Sequence, residues 1–210
     1  YIYSNIEIEQ IMRTAAKLAS PKELRGCTYS TLFGLLAVTG MRIGEAISLD
    51  RDDVDLVEGI LHIRRAKWGK SRLVPVSLST QIALKAYAEA RDRIIPHPAT
   101  QAFFLLERGS RVTKCVAEWT FAQVSKSIGL RPQGKRWGKG PRLHDMRHRF
   151  AVKTLIDWYR AGLDVEREIP KLATYLGHVS VNDTYWYIEA VPELLQLATE
   201  RLGGRQTARK

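Results

Sequence analysis

The sequence predicts a mainly α-helical domain with one small three-stranded antiparallel sheet, an α+β arrangement. Three observations predict it. Apolar residues recur at helical spacing through most of the 210 residues. The period changes to alternation only between Val54 and Val76. An apolar content of 45% is enough to bury a core in one domain of this length.

The elements follow in order. Ser4 and Glu7 have capping-box spacing, and Ile8, Ile11, Met12, Ala15 and Ala16 form an apolar stripe behind them. Pro21 restarts the chain, and a leucine-rich helix over about residues 22–38 ends at Gly40. A short helix runs from Arg42 to Ser48. Val54 to Val57 and Ile60 to Ile63 alternate around Glu58-Gly59, which reads as a hairpin. Leu73-Val74-Pro75-Val76 reads as a third strand, with Pro75 suited to a sheet edge because it has no N–H to donate. Ala66 to Ser71 is a tight basic turn between the second and third strands. Segments 79–94, 113–128, 143–161, 168–176, 180–189 and 192–202 all carry helical spacing. The tail from Gly203 to Lys210 is basic and expected to fray.

Charge points to a partner. The 33 basic and 22 acidic residues give a formal net charge of +11, with a sequence pI near 9.8. That balance in a foldable domain fits a polyanion such as DNA. From Arg131 to Arg142 the chain has five basic residues (Arg131, Lys135, Arg136, Lys139, Arg142) and no acid. Three glycines in that stretch allow close approach of backbone to a ligand. Cys27 and Cys115 are too few for a disulfide framework, so a reducing compartment is expected. No apolar run approaches the roughly 18 residues of a membrane span. The first residues do not have the form of a signal peptide, and the lack of an initiator Met suggests an excised fragment.

Several side chains suggest chemistry. Arg42 follows a Thr39-Gly40 turn and opens a helix, where free N–H groups already attract anions. Its guanidinium matches two phosphate oxygens. The plainer reading is a surface arginine paired with Glu45 across one turn. His144 and Arg147 are three residues apart near a helix start, so they share a face. His148 lies four after His144, a spacing that can hold zinc. Asp145 stands where that motif needs a glutamate, and Arg147 would repel the cation, so no metal is expected. Gly69-Lys70-Ser71 echoes the end of a P-loop, but Arg64 occupies the position of its first glycine, so no ATP use is implied.

Tyr187 follows the Leu176-Gly177-His178 turn, nine residues after the histidine. A helical tyrosine is most often core, and at most one face of the Tyr185-Trp186-Tyr187 cluster can bury well. As a nucleophile its phenol, of pKa about 10, is about one part in a thousand ionised at neutral pH, a deficit of roughly 4 kcal/mol. Guanidinium charge or a general base must offset that deficit. An expelled alkoxide also needs a proton, which Lys67 on the basic turn can give, with Lys70 as a competing choice.

Together these motifs resemble the tyrosine recombinase (phage integrase) family. The matching residues are Thr39-Gly40-Met41-Arg42-Ile43-Gly44-Glu45, Lys67 eight residues before Pro75, His144-Asp145-Met146-Arg147-His148, Leu176-Gly177-His178 and Tyr187. The resemblance implies that family's catalytic-domain fold and a site-specific recombinase of integrase or transposase type. It implies that Arg42 and Arg147 clamp the scissile phosphate and Lys67 protonates the leaving 5′ oxygen. His144 would assist proton transfer at the tyrosine, and His178 would hydrogen-bond a non-bridging oxygen. Tyr187 would attack phosphorus to give a 3′-phosphotyrosyl link, with Glu45 as a structural partner of the arginine helix. Lys70, Arg72, Arg131, Lys135, Arg136, Lys139 and Arg142 are expected to contact double-stranded DNA. No cofactor or metal is implied, because one phosphate ester is exchanged for another.

Residues 1–190 are then the catalytic domain. Residues 191–210 form a terminal helix and tail, open to packing in cis or exchange between protomers, and an N-terminal DNA-clamping domain is expected to be absent. The stretch from Arg147 to His178, with Asp157 to Pro170 in its middle, looks longer than is common in the family. Self-association on DNA as a dimer or tetramer, no membrane contact and a cytoplasmic, nucleoid-associated, bacterial setting complete the expectation. Two rival readings are a type IB topoisomerase-like relaxing enzyme and a non-catalytic DNA-binding module on the same fold.

Overall fold

A capping box starts the first helix, α1 (Asn5–Ala16). Ser4 Oγ accepts from the Glu7 N–H at 3.2 Å, and Glu7 Oε2 accepts from the Ser4 N–H at 2.7 Å. The computed structural model describes residues 1–64, 71–132, 140–190 and 194–196. It divides into two compact units, Tyr1–Arg147 and His148–Lys210.

In the first unit α1 packs against α2 (Leu24–Thr39). The approach is close at Gly26, where an added Cβ would lie 2.3 Å from the Ala16 carbonyl oxygen. Phe33 of α2 packs against Tyr29 of the same helix and against Phe121 of α5 (Lys114–Ser127), all three fully buried. Gly40, at a φ of 62°, ends α2 in the left-handed conformation, and α3 (Ile43–Ser48) follows two residues later. The strands are β1 (Val54–Asp55), β2 (Ile60–Ile63) and β3 (Arg72–Pro75), antiparallel in the order β1-β2-β3. Pro75 sits on an outer strand opposite Ile60, as its missing N–H requires. The first strand is shorter than the alternation suggests. Asp55 Oδ1 accepts from the N–H groups of Val57 and Glu58, each at 2.9 Å, and turns the chain before Val57 can pair. α4 (Leu78–Ile94) leads to a buried Phe103-Phe104 segment.

α6 (Asp145–Arg160) begins at the end of the first unit and continues into the second. α7 (Val165–Leu176) and α8 (Asn182–Ala190) follow. The second unit's core is Ala151, Val152, Leu155, Val165, Ile169, Leu172, Leu176, Tyr187 and Leu194. Leu194 is the fully buried member of the described 194–196 segment. Residues 157–160 close α6, residues 165–170 open α7, and residues 161–164 join the two, so α7 starts three residues before the expected 168. Pro170 lies inside α7. Its missing N–H would have served the carbonyl of exposed Glu166, which water can reach. None of the described helices is long and apolar enough to cross a membrane.

Candidate active site

The turn between α2 and α3 is built by local hydrogen bonds. Thr39 Oγ1 donates to the Leu35 carbonyl at 2.6 Å and accepts from the Met41 N–H at 3.4 Å. Gly40 reverses the chain, and Arg42 stands in extended conformation at the N-cap of α3. The plainer reading of Arg42 is present in the structure: its Nη1 donates to Glu45 Oε1 at 2.9 Å. The pairing does not remove Arg42 from solvent, since its side chain is 29% exposed and faces a cavity.

Arg147 comes to the same turn from the far end of the unit. It is 2% exposed, and its Nη1 donates to the Gly40 carbonyl at 2.9 Å. The two arginines expected to act together are therefore tied to adjacent parts of one turn. His144 is exposed, immediately precedes α6 and lines the cavity that Arg42 lines. The first unit thus gathers Arg42, Glu45, His144 and Arg147.

Glu45 holds Arg42 in place. Its carboxylate accepts from the Arg42 N–H at 3.0 Å, from Arg42 Nη1, and from Arg72 Nη1 and Nη2 at 3.0 and 2.7 Å. Burial alone would raise its pKa. The Arg72 hydrogen bonds and charge, with the N–H and guanidinium of Arg42, outweigh burial and hold the carboxyl below the ordinary range. Arg72, expected among the DNA contacts, pairs with this carboxylate. Its side chain is 11% exposed, and both terminal nitrogens lie on Glu45.

The cavity beside Arg42 has a volume of about 560 Å³. It brings in residues that the motifs did not pick out: Asp53, His62, Arg64 and Lys114. His62 was the findable one, because strand alternation turns it away from buried Leu61 and Ile63. Lys114 carries no local signal. Two of the cavity's acids are neutralised by arginines, Asp50 by Arg111 and Asp53 by Arg64, each at 2.5 Å.

The remaining expected DNA contacts divide. Arg131 is half-buried, with Nε donating to the Pro141 carbonyl at 2.8 Å, so it ties the two ends of the basic stretch together. Arg142 is exposed and pairs at 3.7 Å with Asp145, while its carbonyl accepts from the Tyr3 hydroxyl at 3.0 Å. Lys67, Lys70, Lys135, Arg136 and Lys139 lie outside the described residues.

The second unit contains His178 and Tyr187 of the expected set. Gly177, at a φ of 67°, ends α7, and the His178 N–H caps it on the Ala173 carbonyl at 2.9 Å. His178 Nδ1 lies 2.8 Å from Thr184 Oγ1, which orients the ring. Tyr187 is 4% exposed, whereas Tyr185 and Trp186 are 39% and 53% exposed. The Tyr187 ring stacks on His178 at 6.2 Å and meets His148 at 5.6 Å. α8 therefore turns Tyr187, and not Tyr185, toward the histidines. His148, the last residue of the His144–His148 motif, is a neighbour of the expected nucleophile. Among the described residues no three His, Cys, Asp or Glu side chains converge as metal ligands.

A helical domain with a three-stranded sheet, an arginine pair on one turn and a tyrosine stacked on the histidine of a Leu-Gly-His turn define the class of tyrosine recombinase catalytic domains. Residues 3–193 match the phage integrase family, and the chain belongs to that family. It is similar to the putative integrase/recombinase y4rE of Sinorhizobium fredii, 44% identical over 200 residues, which are 95% of this chain and 63% of that relative. The crystal structure of XerA recombinase superposes with a TM-score of 0.73 at 25% identity, covering 96% of this chain and 64% of that one. The Tn1549 transposon integrase in complex with transposon right end DNA shares the fold, with a TM-score of 0.69 at 18% identity over 97% of this chain and 66% of that one. The chain thus spans less than two thirds of the length of the rhizobial relative.

Proposed function

We propose that this chain is the catalytic domain of a site-specific DNA recombinase, an integrase or transposase, that cuts and rejoins strands through Tyr187. The observation that carries the proposal is the mooring of Arg147 on the Gly40 carbonyl, in the turn that presents Arg42. Two guanidiniums on one turn suit one phosphate, whose transition-state charge they stabilise without a moving part. The DNA-bound state of the Tn1549 integrase supports double-stranded DNA as the partner. The net charge of +11 supports backbone contact through the 131–142 stretch.

The reaction then runs as a transesterification. The Tyr187 oxygen forms a bond to phosphorus as the bond from phosphorus to the 5′ oxygen breaks. The phenol gives up its proton with help from His144, and the 5′ oxygen takes one from Lys67. His178, its Nδ1 held at Thr184, offers Nε2 to a non-bridging oxygen. Reversal by another strand's 5′ hydroxyl restores the phosphodiester, so the ester bond is conserved. Tyr187 must leave its 4% exposed position to reach phosphorus. In this proposal DNA or a second protomer of a dimer or tetramer draws α8 out. Residues 1–190 supply the chemistry, residues 191–210 contribute to assembly, and the substrate is nucleoid DNA.

The test is covalent capture by the full-length protein on a nicked suicide substrate, read on an SDS gel. Wild type and Tyr185→Phe should form the adduct, and Tyr187→Phe should not. An SDS-stable adduct with Tyr187→Phe would remove Tyr187 as the nucleophile.

A further inference from the structure

The cavity beside Arg42 receives nitrogen donors from three elements: Arg42 at the start of α3, His62 on β2 and Lys114 at the start of α5. We propose that it holds two phosphates of the cleaved strand, the scissile one at Arg42 and a neighbouring one held by His62 and Lys114. The inference rests on the proposed strand cleavage.

Lys114 stands where its own helix disfavours it. It is the first residue of α5, after the Thr113 N-cap, and the first turn holds no acid. A cation at that end opposes the helix dipole. Its ion-pair partner is Glu118, one turn on, at 3.8 Å, with both side chains at least half exposed. Lysine before glutamate is the weaker order of such a pair, and exposed pairs contribute little. A lysine set against the local rule and lightly held fits a side chain kept for a ligand.

His62 reaches the cavity from the sheet. Leu61 and Ile63 on either side are buried, so strand alternation turns the imidazole outward. It makes no side-chain hydrogen bond to the described residues, and its cross-strand partner is exposed Leu73, whose side chain offers none. An imidazole N–H is then available to a phosphate oxygen.

The rest of the lining favours an anion at these two residues. Each acid of the cavity accepts from an arginine: Glu45 from Arg42 and Arg72, Asp50 from Arg111, and Asp53 from Arg64. No carboxylate of the described residues lies within hydrogen-bond distance of Lys114 or His62. Size supplies the second phosphate. A cavity of about 560 Å³ is in the range that takes a whole small ligand, and one phosphate group fills only part of it. One DNA strand places a phosphate about every 3.4 Å of helix axis. A strand whose scissile phosphate lies on Arg42 therefore brings the next one into the same space.

The experiment is a methylphosphonate scan, in which one backbone phosphate at a time is made uncharged. The parent is the full-length protein carrying Tyr187→Phe, so that binding is read without cutting. It is titrated with suicide-substrate duplexes modified at the scissile phosphate or at each near neighbour in turn. The other arms add His62→Ala, His62→Gln, Lys114→Met, or His62→Ala with Lys114→Met. For the parent, one neighbouring position should cost about tenfold in affinity. The double variant should bind unmodified DNA about tenfold more weakly, with a salt slope lower by about 0.9. It should also lose the methylphosphonate penalty at that one position. His62→Gln keeps an N–H donor and should bind within about threefold of the parent. A mere loss of surface charge would weaken binding at every position alike. The inference is overturned by variants that bind as the parent does, or by a scan in which every position costs the double variant as much as the parent. Both side chains are exposed, so the substitutions leave the core intact. An arm without a cooperative melt is replaced by Lys114→Gln or His62→Ser. Wild type and Tyr187→Phe on an SDS gel separate the two readings. A Tyr187-dependent adduct with an unaltered scan removes this inference alone, whereas no such adduct removes the cleavage proposal and this inference with it.

Discussion

Replacing Glu45 by Ala should destabilise the first unit far more than a surface substitution. The side chain is 8% exposed and accepts from Arg42 and from both terminal nitrogens of Arg72, besides capping the Arg42 N–H. Truncation leaves Arg72, 11% exposed, as a buried guanidinium without its carboxylate. Breaking one side of a buried pair costs about 3–5 kcal/mol. The Arg42 share adds little beyond this, because that side chain is partly solvated. At about 2–4 °C per kcal/mol for a chain of this size, the melting temperature should fall by about 6–20 °C. The assay is thermal unfolding followed by circular dichroism, repeated across pH. The Glu45 carboxyl is held below its ordinary pKa, with burial opposing and the two arginines prevailing. Its stabilisation is therefore complete above the ordinary carboxylate pKa and lost as pH falls through the depressed value. Wild type and variant should differ most near neutral pH and converge on acidification. A gap at neutral pH under about 2 °C, or one that stays constant into acid, would refute the argument.

Two further outcomes test packing and DNA contact. Gly26→Ala should lower stability by about 1–3 kcal/mol in urea unfolding, because its Cβ meets the Ala16 carbonyl oxygen at 2.3 Å. An alanine in an open helix would instead add about 1 kcal/mol, so a stabilised variant would contradict the close approach of α1 and α2. Neutralising Lys135, Arg136 and Lys139 together should weaken DNA binding and reduce the slope of log K against log salt by about 0.9 for each phosphate no longer neutralised. An unchanged slope in a filter-binding titration would exclude the stretch from the DNA interface.

What the sequence made legible was local. Ser4 and Glu7 announced the first cap three residues apart, Glu58-Gly59 announced the hairpin, and Pro75 chose an outer strand. The motif residues Arg42, His144, Arg147, His178 and Tyr187 were recognisable by order and spacing. What was not legible depended on partners distant in the chain. Arg72 reads as one more basic residue near a turn, and only a contact across 27 residues makes it the counterion of Glu45. Arg91 looks like a surface helix residue, yet it is 2% exposed, donates to the Phe103 carbonyl at 2.8 Å and lies over the Phe103 ring. The start of α7 at Val165 was missed by three residues, and Pro170 sits in an exposed turn of that helix.

The bond from Arg147 to the Gly40 carbonyl spans 107 residues. Synthesis at about 5–20 residues per second therefore places roughly 5–20 s between the emergence of the glycine turn and that of its second arginine. During that interval the nascent chain carries Arg42 without its companion. Tyr187 emerges later still, 40 residues after Arg147 by sequence number. The Gly40 turn is thus completed only after most of the first unit has been made, and the helix that carries Tyr187 follows it.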